Sequence, residues 1–266
     1  MKPSLPGETW FVGCGNMAGA MVEGWLKAGV DLSQAVAIRP SGTPVHGIRT
    51  VTRLPDGQPV MVLLGFKPQK LDEAAPELAA RIGPQTAVVS ILAGVEAASL
   101  RRRFPAAGAI VRAMPNLPVS QGKGVIALFG DVDRVPAALS LFAPLGFVHV
   151  ADSEVEFAAI GALAGAGPAY VARFIAALAK AGMARGLAPE LAANIALGTV
   201  LGTALMAEAH GEDMHEIARR VASPRGTTEA GLAVLDAHGA LDRLVAETIE
   251  AAAQRGAQLA QEARKP

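Results

Sequence analysis

Residues 13 to 18 form a glycine-rich turn, Gly-Cys-Gly-Asn-Met-Ala, directly after the apolar run from Thr9 to Val12. In such a turn the first glycine permits a tight bend, the second lets the backbone approach a pyrophosphate, and the final alanine permits close helix–sheet packing. A helix that starts here presents free N–H groups to phosphates. The pattern predicts a dinucleotide cradle formed by Gly13, Gly15, Asn16, Met17 and Ala18, although glycine pairs are also common in purely structural turns.

The second apolar run, Ala35 to Ile38, is followed by Arg39 and Ser41. An acidic residue about 20 positions after the glycine turn binds the ribose when the cofactor is NAD, and that acid is missing here. A guanidinium and a hydroxyl can instead hold a 2′-phosphate through charge-assisted hydrogen bonds. We therefore expect NADP(H) to be favoured over NAD(H). A surface arginine at a strand end is the alternative interpretation.

Three later strand ends carry glycine, proline or polar residues. They read GFKP at residues 65–68, AGV at 93–95 and MPNLP at 114–118. Ligands of an open parallel sheet lie outside the carboxyl ends of its strands, so these loops are expected to line the nicotinamide side of a crevice. Each is also compatible with an ordinary strand-to-helix turn.

The second half of the chain contains two unusual stretches. Residues 164–170, AGAGPAY, place Pro168 and two glycines inside a helical pattern, which kinks a helix and permits close approach of its backbone to a ligand or neighbour. Residues 223–229, SPRGTTE, precede an apolar helical run, so the amides of Gly226 to Thr228 would point outward as a nest for an anion. A plain cap made by Thr227 or Thr228 is the alternative.

The pattern of apolar residues divides the chain near residue 152. Before that point, short apolar runs bounded by Gly, Pro, Asp or Ser alternate with helical patterns, which predicts an α/β domain with a doubly wound parallel sheet over residues 1–152. From Ser153 onward the strand-like runs stop. Alanine-rich helical patterns then predict an all-α domain over 153–266, with helices at 154–185, 189–209, 213–221, 227–237 and 240–264.

Composition excludes several classes of protein. The chain has 266 residues, of which 51% are hydrophobic, so it can bury the cores of two domains. Its 24 basic and 24 acidic residues cancel, so no net field draws nucleic acid or an anionic membrane. Cys14 is the single cysteine and the five histidines lack ligand spacing, so we expect no disulfide and no metal site.

The N-terminal residues and one uncharged run bear on location and assembly. The N-terminus lacks a long apolar core after a basic start, so we expect no signal peptide and a cytoplasmic protein. The uncharged stretch from Leu191 to Ala207 has 17 residues, fewer than the roughly 20 that a membrane span needs. A helix that is apolar on nearly all sides must be buried by something, and a partner subunit is one candidate.

With these motifs assembled, the chain resembles the pyrroline-5-carboxylate reductase family over nearly its whole length. The resemblance rests on VGCGNMAGAM, FKPQ, SILAGV, VRAMPN, AGAGPAYV and ASPRGTTEAGL. It implies a Rossmann-type domain that binds NAD(P)H and an all-α dimerisation domain, with dimers that assemble further into rings. It also implies reduction of 1-pyrroline-5-carboxylate, a cyclic imino acid, to L-proline in the last step of proline biosynthesis.

The resemblance also implies roles for individual residues. Lys67 with Pro68 and Ala93 with Gly94 would line the cofactor. The substrate carboxylate and ring nitrogen would be held within the motif that contains Ser223, Gly226, Thr227 and Thr228. A threonine hydroxyl is too weak an acid to protonate an imine outright, so Thr228 would act as the catalytic residue by hydrogen bonding to the ring nitrogen and relaying a proton from water.

The chain departs from the family pattern at several motif positions. Ala164 and Ala166 stand where the family has serine, and Gly161 and Leu117 stand where it has threonine. Arg225 stands where the family has glycine. Because the serine and threonine hydroxyls are lost, a related imine is an alternative substrate.

Two other functions remain open at this stage. A related NADP-dependent imine or 3-hydroxyacid reductase would carry a catalytic lysine or aspartate in the first long helix of the second half. Residues 154–172 contain only Glu154 and Glu156 as charged groups, which argues against it. A non-catalytic dinucleotide-binding protein of the same fold is the other alternative.

Overall fold

The computed structural model describes residues Ser4–Val135 and Ala137–Arg264. Its strands are β1 (Thr9–Val12), β2 (Ala35–Ile38), β3 (Arg49–Val51), β4 (Met61–Leu64), β5 (Ala87–Ser90), β6 (Ala109–Pro115), β7 (Gly124–Gly130) and β8 (Gly146–Val150). Its α-helices are α1 (Asn16–Lys27), α2 (Leu71–Ala79), α3 (Ala97–Arg103), α4 (Ala137–Phe142), α5 (Glu154–Ile160), α6 (Gly167–Ala184), α7 (Pro189–His210), α8 (Met214–Val221), α9 (Thr227–Leu235) and α10 (Ala240–Arg264).

The strands form one sheet in the order β3-β2-β1-β4-β5-β6-β7-β8. The order reverses at β1, so that β2 and β4 both pair with it in parallel. The predicted doubly wound α/β sheet is therefore confirmed. The pairing of β7 with β6 is antiparallel and β8 is parallel to β7, so the last two strands run opposite to the first six. The apolar sequence of β7 did not indicate this reversal.

Two apolar cores lie on the two faces of the sheet, because side chains alternate along each strand. Phe11 packs with Trp25 of α1 in one core, whereas Trp10 packs with Leu78 of α2 in the other. All four residues of β1 are buried for this reason. Helices on both faces explain why the strands read as continuous apolar runs rather than alternating ones.

The helices after residue 153 have the expected order, with one irregularity. The predicted helix over 154–185 is α5, a π-helical segment at Gly161–Gly165, and α6, which begins at Gly167 next to Pro168. Glu154–Ala184 and Pro189–His210 are each long and apolar enough to cross a membrane, judged by length and composition alone. The expectation that the run around Leu191 is too short to span was therefore wrong, because its helix has 22 residues.

The chain divides into two compact units. One comprises the residues up to Ala166 together with those from Ala252 onward, and the other comprises Gly167–Ala251. The first unit thus contains the sheet, α5, the π-helical segment and the end of α10. We refer to these as the sheet unit and the helical unit.

Candidate functional site

In the glycine turn after β1, Gly13 and Gly15 are glycines for different structural reasons. Gly13 has φ +75°, and a Cβ there would lie 2.7 Å from the Cβ of Phe66, so the fold itself requires glycine. A Cβ on Gly15 would meet no heavy atom within 4 Å. Packing therefore explains the first glycine, whereas the second faces open space of the kind that an approaching ligand needs.

The start of α1 carries unpaired backbone donors. Gly15 is the N-cap residue, no side chain caps the helix, and its first turn contains no acidic residue. Because the amide of Gly19 makes the first helical bond, 2.8 Å to the carbonyl of Gly15, the amides of Asn16, Met17 and Ala18 have no acceptor within the helix. The Ala18 side chain is buried against Gly65. This geometry suits a pyrophosphate.

Arg39 and the glycine turn line the same cavity of about 820 Å³. Its lining includes Cys14, Gly15, Asn16, Arg39, Pro44 and His46. Burial raises the pKa of the Cys14 thiol to about 11, and the charge of Arg39 opposes that rise. Arg39 therefore places a positive charge on the wall of the cavity that the glycine turn also lines.

The loop after β2 is held by its own hydrogen bonds. Nη1 of Arg39 donates to the carbonyl of Thr43 at 3.1 Å, and the hydroxyls of Ser41 and Thr43 are 3.0 Å apart. The amide of Gly42 closes the turn onto the carbonyl of Arg39 at 2.9 Å. A guanidinium has five N–H donors, so the bond to Thr43 leaves most of them available.

The residues expected at the nicotinamide end follow β4 and β5. Lys67 is exposed and precedes a short 3₁₀ turn that starts at Pro68. Ala93 is exposed, and Gly94 has φ +75°. A Cβ on Gly94 would lie 2.9 Å from the backbone of Leu259 in α10. Packing against α10 thus explains this glycine, and the cofactor contact of these four residues stays a prediction.

The loop before α9 differs from its expected geometry at Gly226. The Gly226 amide donates to the carbonyl of Ser223 at 2.9 Å, so it is not a free member of the anion nest. A Cβ at Gly226 would also come within 2.9 Å of that carbonyl oxygen, which requires glycine there. The outward amides at this helix start belong to Thr227 and Thr228, the first two residues of α9.

The capping interpretation of the two threonines was wrong. Gly226 occupies the N-cap position and no side chain makes a capping bond to α9. Arg225 precedes it with φ +59°, a left-handed conformation that favours glycine, and its amide donates to the Glu229 carboxylate. Thr228 is half-buried, and its hydroxyl has no partner among the residues that the structure describes.

Comparisons with known proteins identify the family. Residues 154–259 match the family model for the pyrroline-5-carboxylate reductase dimerisation domain. A pyrroline-5-carboxylate reductase from Pseudomonas aeruginosa is 33% identical over 264 residues, which cover 95% of this chain and 96% of that protein. The chain belongs to the pyrroline-5-carboxylate reductase family.

Solved structures agree with this assignment. A pyrroline-5-carboxylate reductase from Coxiella burnetii superposes with a TM-score of 0.86 at 31% identity, covering 96% of this chain and 99% of that one. A pyrroline carboxylate reductase from Plasmodium falciparum, solved with NADP bound, gives a TM-score of 0.83 at 22% identity, which shows the shared fold.

Family membership explains the exposed apolar faces of the helical unit. Leu191, Ile195, Leu201 and Leu205 of α7 are about half exposed in a single chain. They lie within the matched dimerisation domain, which implies a homodimer. Burial of these apolar side chains between two copies of the chain is the prediction that follows.

Sequence reasoning missed the polar residues along β6. Arg112 is buried, its pKa is lowered by burial, and it pairs with Glu154. Asn116 is also buried and contacts the π-helical segment. A charged side chain inside an apolar strand was the available signal, because such a residue needs a partner.

Proposed function

We propose that this chain reduces 1-pyrroline-5-carboxylate to L-proline with NAD(P)H. The observation that carries the proposal is the match to relatives named for this activity over 95% of this chain and 96% of the relative. Both the sheet unit and the dimerisation domain are therefore present. An isolated Rossmann-type sheet would support only nucleotide binding.

The residues of the glycine turn fit a dinucleotide. The open space beside Gly15 and the free amides of Asn16, Met17 and Ala18 suit two phosphates, and the cavity continues to Arg39. When bound, a reduced nicotinamide supplies a hydride to an electrophilic carbon. The chain itself has to bind, orient and exclude water.

We propose NADPH as the preferred cofactor. Arg39 and Ser41 are the recognition residues, because Arg39 retains unused guanidinium donors and Ser41 is exposed beside it. Lys67, Pro68, Ala93 and Gly94 follow neighbouring strands of the sheet and would line the cofactor at its other end. Parallel strands β4 and β5 support this arrangement, since their carboxyl ends meet at one edge.

The start of α9 is the proposed substrate site. The amides of Thr227 and Thr228 and the positive end of the helix dipole would hold the carboxylate. Gly226 would contribute by allowing close approach and Ser223 by fixing the turn that Gly226 closes. Helix α9 has nine residues, and Glu229 is the acidic residue in its first turn. The Glu229 carboxylate accepts a hydrogen bond from the Arg225 amide.

Thr228 is the proposed catalytic residue. Its hydroxyl has no acceptor or donor among the described residues, so it is available to a ligand. It would hydrogen-bond to the ring nitrogen and pass a proton from water to it, so that the imine accepts the hydride in its protonated form. A protonated imine is already electrophilic, so this role needs no metal.

Domain limits, assembly and location are parts of the same proposal. We assign residues 1–152 to cofactor binding and 153–266 to dimerisation and substrate binding, with rings of dimers as the larger assembly. We expect the protein to act in the cytoplasm, with a small imino acid as its ligand rather than nucleic acid or a membrane.

The absorbance of NADPH, followed with pyrroline-5-carboxylate and the purified full chain, tests the function. We expect consumption of NADPH and formation of L-proline. Consumption of NADPH only with other imines, or only with the 3-oxoacids that a 3-hydroxyacid reductase would reduce, would indicate the related reductase. Binding of NADPH without consumption by any of these substrates would indicate the non-catalytic protein.

A further inference from the structure

One face of β6 contacts the chain from Glu154 to Ala164 along its length. Arg112, Met114 and Asn116 alternate along the strand and its end, so their side chains point to the same side of the sheet. The Arg112 guanidinium pairs with Glu154 and lies 4.2 Å from the ring centroid of Phe157. Further along, the Sδ atom of Met114 would lie 2.5 Å from a Cβ on Gly161, so that side chain packs on the Gly161 backbone.

Asn116 makes the last of these contacts and is fixed on both sides. Its Nδ2 donates to the carbonyl of Ala164 at 3.0 Å, and its Oδ1 accepts from the amide of Val125 at 2.8 Å. Its own amide donates to the carbonyl of Val125 at 3.2 Å. Because Oδ1 faces an N–H and Nδ2 faces a carbonyl, only one orientation of the carboxamide satisfies both.

The carbonyl of Ala164 needs this donor because of the sequence four residues later. In an α-helix it would accept from the amide of residue 168, which is Pro168 and has no N–H. The helix is widened to a π-helical segment over Gly161–Gly165 just before this point. Asn116 therefore replaces the hydrogen bond that Pro168 removes.

The contact also fixes where the interrupted helix lies. Asn116 directly follows the carboxyl end of β6, beside β5, which is the edge where ligands of a doubly wound sheet bind. A Cβ on Gly165 would meet no heavy atom within 4 Å, so the described part of the chain leaves the space beside Gly165 open. We propose that Asn116 is a positioning residue that holds the Ala164 carbonyl at this edge, so that residues 161–165 form a fixed wall of the proposed cofactor site.

This inference rests on the proposed function and assigns Asn116 no contact with substrate. It acts through the backbone of Ala164, so its loss should reduce turnover more than cofactor affinity. A wall displaced by a fraction of an ångström is enough to slow hydride transfer markedly.

The test compares N116D and N116S with a matched control, Q121E, in the same loop. N116D keeps the acceptor for the Val125 amide but places an ionised carboxylate against the Ala164 carbonyl. When protonated, the introduced carboxyl can donate to that carbonyl, and burial raises its pKa toward neutrality. We expect kcat to fall about 10-fold at high pH and to approach the wild-type value as pH falls to about 6, with KM for NADPH within about twofold.

N116S removes the donor without adding a charge. We expect a similar loss of kcat that does not depend on pH. Q121E should match the wild type, because the exposed Gln121 amide bonds only to Ser120 among the described residues. Wild-type kcat in both Asn116 variants would overturn the proposal. Failure of both variants to fold would also overturn it, because Asn116 would then serve stability alone.

Amide hydrogen exchange separates this inference from the proposed function. If the wild type consumes no NADPH with the imine, the function fails, but the contact can still be measured. Faster exchange across residues 161–167 in N116S than in Q121E would support the fixed wall. Unchanged exchange would contradict it, whatever the activity.

Discussion

The sheet unit and the helical unit differ in how much apolar surface a single chain can bury. Trp10, Trp25 and Phe11 of the sheet unit are completely buried. In contrast, α6 and α9 of the helical unit contain no buried residue at all. We therefore expect the sheet to fold around its own two cores and the helices to depend on a second copy of the chain.

This difference separates the two halves of the proposed chemistry. The cradle at the start of α1 is supported by packing within the sheet unit. The proposed substrate site is carried by α9, which packs little in a single chain. We therefore expect cofactor binding to depend mainly on the sheet unit and turnover to depend on the dimer.

A charge on the exposed face of α7 should have the largest effect. Leu201→Glu places a carboxylate where we expect the homodimer to bury leucine, and desolvating that charge is costly. We expect loss of the dimer, aggregation or a poorly folded monomer, and loss of turnover, measured by light scattering and NADPH oxidation.

Leu139→Glu is the matched control in the sheet unit. Leu139 is 48% exposed and Leu201 is 55% exposed in a single chain, so the two substitutions differ mainly in their region. We expect Leu139→Glu to remain dimeric and active. A soluble, fully active monomer of Leu201→Glu would contradict the claim that the helical unit, unlike the sheet unit, depends on the dimer.

Loss of the Thr228 hydroxyl should have the next largest effect. Its hydrogen bond to the ring nitrogen would strengthen toward the transition state, so Thr228→Ala should lower kcat/KM on the order of 10²-fold. Thr228→Ser keeps the hydroxyl and should retain most activity. Thr248→Ala is the control, because among the described residues that helix hydroxyl bonds only to the carbonyl of Leu244. A destabilised but fully active Thr228→Ala protein would exclude Thr228 from the mechanism.

Arg39 tests the sheet unit alone. Arg39→Ala removes the charged partner of a 2′-phosphate, so KM for NADPH should rise about 10-fold or more while KM for NADH changes little. Arg49→Ala, an exposed arginine on the neighbouring strand β3, should leave both values unchanged. Equal losses with the two cofactors would contradict the assignment of Arg39.

Substitution of Arg225 is expected to have the smallest effect, with opposite consequences for stability and for substrate binding. Arg225→Gly relieves a left-handed conformation at φ +59°, which should raise stability by about 1 kcal/mol or less. If the guanidinium also attracts the substrate carboxylate, KM for the imine should rise about 2- to 5-fold, as for an exposed ion pair. A higher Tm with unchanged KM would leave Arg225 as a solvent-facing loop residue.

Local sequence predicted much of the sheet unit. Thr9–Val12 and Ala35–Ile38 were located to the residue, because a buried parallel strand is a continuous apolar run between breakers. The three-residue strand β3 was missed because Arg49 and its neighbours lie at an edge and form no apolar run. The direction of β7 could not be predicted, since an apolar run has no signature of orientation.

The finer features of the site depend on contacts between distant residues. Pro168 indicated an interrupted helix, but the π-helical geometry is set with Asn116 and Met114, about 50 positions earlier in the chain. Gly94 indicated a ligand loop, whereas the structure adds α10 as its neighbour. The turn that occupies the Gly226 amide was likewise not apparent from the spacing of SPRGTT.

Hydride transfer to the imine carbon is the central claim, and isotopic labelling tests it most directly. The full chain would be incubated with pyrroline-5-carboxylate and NADPH carrying deuterium at C4, with each of the two stereochemically distinct labels in turn. We predict L-proline with a single deuterium on the former C=N carbon, which is the ring carbon next to nitrogen that does not carry the carboxylate. One of the two labels should give this product and the other should not. Two results would contradict the account: NADPH oxidation that gives unlabelled L-proline from both labelled cofactors, or no formation of L-proline at all.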